Sequence, residues 1–299
     1  MDWTSPAFRS AALAWVEEQG VRPHGQVTQP RVRPWSTALR IPIRDDVVWF
    51  KAGGPGCAFE AGLLAALAGH GAPHLLTPIA VDVERGWMLL PDGGPTLRET
   101  GGTLDDWERV LPKYAELQRF LEGRALPGTD DLSPARLPEV LDQLLETVPV
   151  TPVAELRSLQ PRFAGWCDEL AACAIVPTLQ HDDLHDNNIW ASDVIFDFGD
   201  ASLAHPFSSL LVTLRSAADR WSLAPGAPEL QRLRDAYLEA WTDVHDRAEL
   251  ELLALLATRV GKVGRVLAWQ RALIGVDDPG EHAEAVPGWL EELLEPDVF

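Results

Sequence analysis

Between Gly25 and Leu90 the chain alternates short apolar runs with frequent breaks. GQVTQP, STALRIPI, DVVWFKA, IAVDV and GWMLL are rich in β-branched or aromatic residues and bounded by Pro, Gly or Asp. Runs of that length and content predict β-strands, with RDD and ERG as hairpin turns. One helical stretch interrupts them, CAFEAGLLAALAG, stopping at Gly69, and an earlier amphipathic stretch predicts a capped helix from near Ser5 to Gly20. From Asp105 onward the apolar spacing shifts to the helical period, as in DDWERVLPKYAELQRFLEG, LPEVLDQLLETV, LQRLRDAYLEAWTDV and AELELLALLATRVGKVGRVLAWQRALI. A strand-rich first third followed by a helical remainder predicts the α+β class in two lobes, residues 1–94 and 95–299, joined at PDGGP, residues 91–95.

The helical pattern breaks at VPTLQHDDLHDNNIWASDVIFDFGDA, which reads as an apolar lead-in, a polar loop and two short strands flanking Ala191 and Ser192. The loop HDDLHDNN, residues 181–188, holds two histidines, three aspartates and the only two asparagines of the chain. Three readings compete for it. His181 and His185, with Asp182, Asp183 or Asp186, form one ligand set for a hydrolytic metal, and His205 lies in the same half of the chain. An aspartate that orients a substrate hydroxyl, followed by Asn188 and by Asp197 as hard oxygen ligands for Mg²⁺, forms the set that phosphoryl transfer requires. The third reading is a loop held by Asx turns and caps.

A phosphate-handling loop needs a cation from the other lobe. Of the 25 basic residues only Lys51, Lys113 and Lys262 are lysines, and Lys51 ends the strand VVWF. Lysine is a compact charge suited to phosphates. Nine residues on, Glu60 shares the apolar helix face of Leu63, Leu64 and Leu67. A buried carboxylate needs a cationic partner, and Lys51 is the nearest candidate. The alternative is a snorkelling lysine and a glutamate at the edge of its face.

Together, HDDLHDNN and the following IFDFGDA resemble the H-x-D-x-x-x-x-N loop and metal-binding Asp strand of the aminoglycoside phosphotransferase and choline-kinase-like group, which shares the protein-kinase fold. The resemblance runs from about Gln26 through FDFGDASLAHPF and more loosely to the C-terminus. It implies a small antiparallel N-lobe sheet with one main helix, and a larger, mostly helical C-lobe. By the same resemblance, Asp183 is the catalytic base, Asn188 and Asp197 bind Mg²⁺, His181 supports the loop, and Lys51 and Glu60 position the phosphates of ATP. The run MLLPDGG resembles the hinge, where backbone groups near Leu90 and Asp92 meet the adenine. The β1–β2 turn PRVRPWST carries no glycine, which departs from the protein-kinase phosphate loop and leaves Ser36 and Thr37 as donors there. The spacing from Asn188 to Asp197 is short for the family, which predicts a trimmed turn. His185, Asp186, Asp200 and His205 are candidate substrate contacts; for Asp200 and His205 a cap or structural hydrogen bond competes. Trp190 is expected to pack under the loop.

Composition narrows the picture further. At 299 residues and 46% hydrophobic the chain can bury a large core, and its richest apolar stretch, Ala61 to Val81, is cut by Gly69, His70, Gly71, Pro73 and His74, too soon for a membrane span. Neither a basic leader nor a cleavage signal marks the start, so the expected compartment is the cytoplasm. Cys57, Cys167 and Cys173 lack metal or disulfide spacing and read as small core residues. The net charge of −20 comes almost entirely from residues 101–299, with 16 Lys+Arg against 35 Asp+Glu. That excludes nucleic acid and anionic membrane as expected partners, and favours a cationic small molecule if the acids line a cleft, or a solvated surface if they do not. The expected activity is ATP- and Mg²⁺-dependent phosphoryl transfer to a hydroxylated small molecule such as an aminoglycoside or amino sugar. A catalytically silent nucleotide-binding module and a metal-dependent hydrolase are the alternatives.

Overall fold

The computed structural model describes residues 2–297. Helix α1, Pro6–Glu18, begins where the Ser5 side chain accepts from the Phe8 N–H, with Pro6 placed where a missing N–H leaves no bond unmade. It ends ahead of Gly20, whose φ of +81° is the left-handed conformation that glycine adopts freely. Strands β1 Thr28–Arg33, β2 Ser36–Pro42 and β3 Val47–Gly53 follow, then helix α2 Phe59–Gly69 and strands β4 Ala80–Asp82 and β5 Trp87–Pro91. They make an antiparallel sheet in the order β1-β2-β3-β5-β4. One face, with Leu39, Ile41, Val48 and Phe50, buries against Trp15 and Val16 of α1. Alternation along β3 then turns Lys51 to the opposite face, where its register neighbours are Ala38 and Met88.

That opposite face receives α2, whose Ala61 and Leu64 pack on Met88. Leu63 and Leu67 belong instead to the large core of the helical part, so α2 joins the sheet to the helices. Gly56, just before α2, abuts the carbonyl of Arg271: a Cβ there would lie 1.9 Å from that oxygen. Only glycine permits this approach.

After β5 the chain runs through residues 92–103 into α3 Leu104–Phe120, opened by a capping box between Thr103 and Asp106. Next come β6 Asp130–Leu132, α4 Leu137–Thr147, α5 Val153–Ala172, β7 Thr178–Gln180, β8 Ser202–Ala204, α6 Leu210–Trp221, α7 Pro228–Leu238, α8 Arg247–Ala272 and α9 Ala285–Glu291. The three-residue strands form a second sheet, β6-β8-β7, that brackets the polar loop: β7 enters it and β8 leaves it. Its base is fixed by a buried polar network. Gln118 donates to the Leu179 carbonyl at 2.7 Å, Tyr237 donates to Gln118 at 2.6 Å, and the His181 N–H donates to the Tyr114 hydroxyl at 2.9 Å. Fully satisfied networks of this kind hold a loop in one arrangement. The three cysteines are buried and free, as their spacing predicts. Among the described residues no helix is long and apolar enough to cross a membrane.

Candidate active site

The short hairpin expected at Ala191–Ser192 is tighter than two strands. A single bridge joins Ile189 to Ile195, the Trp190 N–H donates to the Val194 carbonyl at 2.9 Å, and Asp193 turns the chain at φ +65°. Arg109 and Lys113 of α3 each reach Asp193 at 2.7 Å and fasten that turn. Segment 95–98 bonds alongside it, with the Leu97 N–H on the Ile189 carbonyl at 2.9 Å and the Arg98 N–H on the Asp186 carbonyl at 3.1 Å. The connector and the polar loop are thus one hydrogen-bonded unit.

Lys51 sits between two carboxylates: its Nζ lies 2.7 Å from Glu60 Oε1 and 2.6 Å from Asp197 Oδ1. Asp197 lies 146 residues from Lys51 in sequence, and the fold brings it beside Glu60 onto one ammonium. Burial would lower the Lys51 pKa, but the two carboxylates outweigh it and hold the lysine charged. Burial raises Glu60, with Lys51 opposing. For Asp197 burial also pushes upward, yet Lys51 and then Arg31 prevail and hold it at about 2. Asp197 keeps a φ of +67°, and Arg31 of β1 stands 3.5 Å from its second oxygen.

Asp183 faces this trio from the loop. Its carboxylate lies 3.4 Å from His185 Nε2 and 3.6 Å from Arg265 Nη2, and it accepts from Asn188 Nδ2 at 3.3 Å. Burial opposes ionisation, but Arg265 and His185 hold the carboxyl below its ordinary value. The Asn188 amide also donates to the Asp183 carbonyl at 2.9 Å, which leaves its carboxamide oxygen for a hard cation beside Asp197. His181 is fully buried, donates from Nε2 to the Phe196 carbonyl at 2.9 Å, and accepts at Nδ1 from the Asp183 N–H at 3.3 Å. Burial lowers its pKa, in keeping with that neutral tautomer. With both ring nitrogens engaged, His181 supports the loop and is not free to ligate a metal. Among the described residues no group of three or more His, Cys, Asp or Glu could hold one.

Two cavities meet at this point. One, of about 550 Å³, is lined by apolar groups including Leu64, Leu90, Ile195 and Phe196, with Asp92 at its rim. The other, of about 380 Å³, holds Asp183, His185, Asn188 and Asp200. They share a wall of Arg31, Ser36, Lys51, Glu60, Asn187 and Asp197. An apolar slot opening onto a row of charges suits a planar base followed by phosphates.

Residues 51–253, which begin at this lysine, match the profile of the phosphotransferase enzyme family. The chain belongs to that family. Its protein-kinase-like fold is similar to the choline kinase of Streptococcus pneumoniae, at 12% identity and TM-score 0.67 over 97% of this chain and 98% of that one. It is similar also to a choline/ethanolamine kinase family protein from Mesorhizobium loti, at 14% and 0.61 over 98% and 92%. An amicoumacin kinase gives 13% and 0.60 over 97% and 96%. No protein of the curated set matches the sequence.

Several residues of this phosphotransferase stand elsewhere than the sequence suggests. Thr37, expected as a phosphate donor, borders the apolar slot but is 1% exposed, and its hydroxyl donates to the Arg31 carbonyl and accepts from Gln29, so that hydroxyl braces the hairpin. Ser36 keeps its place on the shared wall. Asp186, a candidate substrate contact, is buried and clamped by Arg98 and Arg220. His205 is buried beside Cys173 and caps the turn at Phe207, and burial alone lowers its pKa to about 3, so it is out of reach of a substrate. Asp200 does line the second cavity but is bonded to Arg265 at 2.9 Å. Trp190 does not lie under the loop: it stacks on Phe196 at 4.2 Å and lines the apolar slot. Arg31 and Arg265 were not singled out from sequence, because one arginine among 22 carries no compositional signal.

Proposed function

We propose that this chain is a small-molecule kinase that moves the γ-phosphoryl group of ATP to a hydroxyl. The observation that carries the reading is Lys51 held by Glu60 and Asp197 on the wall between an apolar slot and the cavity of Asp183. Adenine would occupy the slot against Leu90 and the backbone near Asp92, as the two lobes, residues 1–94 and 95–299, close on it. Lys51 would meet the phosphates, and Ser36 would face them from the hairpin. The carboxamide oxygen of Asn188 and the carboxylate of Asp197 would hold Mg²⁺. When bound, that ion supplies neutralisation of phosphate charge.

In the transfer, the acceptor oxygen forms a bond to the γ-phosphorus while the bond to the bridging oxygen breaks and its electron pair leaves on ADP. The acceptor proton passes to Asp183, which Arg265 and His185 keep ionised and so able to take it. Most of the work is positioning, since the loop carrying Asp183 and Asn188 is fixed at both ends. Support comes also from relatives of the same fold. One was solved with AMP-PNP and Ca²⁺, and a spectinomycin phosphotransferase was solved with ADP. We place the reaction in the cytoplasm, where ATP is available. An ADP-release assay over hydroxylated acceptors tests the reading: nucleotide binding without any Mg²⁺-dependent ADP formation would make the chain a silent binding module instead.

A further inference from the structure

Asp183 lines a third cavity, of about 760 Å³, on the side formed by α6, α8 and α9. Its charged lining is Arg98, Arg215, Arg220 and Arg265 against Asp183 and Asp219. In a chain of net charge −20, arginines thus outnumber acids four to two along a lining that includes the carboxylate of Asp183. The acids that dominate the composition lie elsewhere: Glu139, Asp142, Glu146, Glu155, Asp168 and Glu169 are exposed on α4 and α5.

The guanidinium groups are held from behind. Asp186, with 2% of its side chain exposed, takes Arg98 on one oxygen, at 2.8 Å from Nε and 2.6 Å from Nη2, and Arg220 on the other. One carboxylate out of solvent reach therefore keeps two like charges side by side. Arg220 also donates to the Gly102 carbonyl at 3.1 Å. Arg215 pairs with Glu292 and lies 5.0 Å from the Trp289 ring, and Arg265 lies 5.6 Å from the same ring, with its buried Nε unpartnered. Each guanidinium has five N–H donors in a planar fork that matches carboxylate or phosphate oxygens. These anchors use only part of them. A cationic acceptor would meet this array with Asp219 as the one acid not assigned to the transfer. Asp200 and Glu281 line the neighbouring cavity, and Asp200 is taken by Arg265.

We infer that the acceptor carries a small oxyanion, a carboxylate or phosphate, bound by Arg98, Arg215 and Arg220 so that its hydroxyl reaches Asp183. This rests on the kinase reading and reverses the cationic substrate that composition suggests. The test measures kcat/KM for matched acceptors: gluconate, sorbitol and glucosamine for the carboxylate arm, and glucose 6-phosphate against glucose for the phosphate arm. The expected result is at least a ten-fold preference for an oxyanion member. Arg215→Gln should raise its KM at least ten-fold with a smaller change in kcat, and Arg215→Lys should restore part of it. Equal or better turnover of the neutral or amine members, or an unchanged KM in Arg215→Gln, overturns the inference. If no acceptor is turned over, calorimetric titration with gluconate and with inorganic phosphate decides: heat lost in Arg215→Gln and Arg98→Gln supports the site, and no such dependence overturns it. Absence of nucleotide binding and of ADP formation would sink the kinase reading separately, and the titration would still report on this cavity.

Discussion

Glu60→Gln isolates the pairing that joins the sheet to the loop. The substitution keeps the size of a side chain only 5% exposed and removes its charge, so Lys51 keeps Asp197 at 2.6 Å but loses its counterweight. Losing one partner of a buried pair outright costs about 3–5 kcal/mol. Here the ammonium keeps a second carboxylate, so the cost is nearer that of one charged hydrogen bond, about 1.5–3 kcal/mol. The expected consequence is a Lys51 drawn fully onto Asp197, away from the phosphates and onto the oxygens a cation needs. A loss of about 2–3 kcal/mol in transition-state stabilisation is roughly 30- to 150-fold in kcat/KM for ATP. Steady-state ADP release, read beside the melting temperature, separates this from unfolding. A folded Glu60→Gln protein with wild-type kcat/KM would refute the reasoning.

Gly93→Ala should raise the KM for ATP several-fold, because a Cβ at that position would lie 2.4 Å from Trp190 Nε1 and force the ring off its stack on Phe196. Nucleotide titration of the variant measures this, and an unchanged affinity would contradict the assignment of the slot. Asp182 supplies a pH prediction. Buried against Gly264 at φ +62°, it is pushed by burial from 3.8 to about 7 despite its bond from Ser202. The folded state therefore keeps a proton that the unfolded chain has released, so this contribution to stability is full below pH 3.8 and is lost as pH rises to about 7. Its upper bound is about 4 kcal/mol. Melting curves of Asp182→Asn against wild type should diverge across that window, with the variant gaining at pH 8, whereas parallel curves would argue against a protonated Asp182.

What the sequence made legible follows from rarity and spacing. Lys51 stands out because lysine is scarce, Glu60 because it interrupts an apolar face, and Asp183, Asn188 and Asp197 because the asparagines cluster with aspartates ahead of an apolar run. Strands β2 and β3 were readable from alternation, since one face of each buries against α1, whereas β1 is exposed along most of its length and runs on to Arg33, past the predicted GQVTQP. The three-residue strands β6, β7 and β8 are too short for any period to register, and Pro161 and Gly165 interrupt the helical pattern of α5. The arginine cavity was hidden for a different reason. Its pairing of Arg98 with Asp186 spans 88 residues, and in an arginine-rich chain only the fold can tell an anchor from a surface charge. Net charge averages over exposed helices such as α4 and α5, so composition does not report the charge lining this one cavity.

The central claim is that Asp183 takes the acceptor's proton during Mg²⁺-dependent transfer from ATP. Its most direct measurement is single-turnover transfer of radiolabelled γ-phosphate to the best acceptor, with Asp183→Asn beside wild type and with Mg²⁺ removed by chelation. Wild type should place label on the acceptor, Asp183→Asn should do so at a rate lower by about 10² to 10⁴ with nucleotide affinity retained, and no transfer should occur without the metal. Transfer at the wild-type rate by Asp183→Asn would contradict the claim.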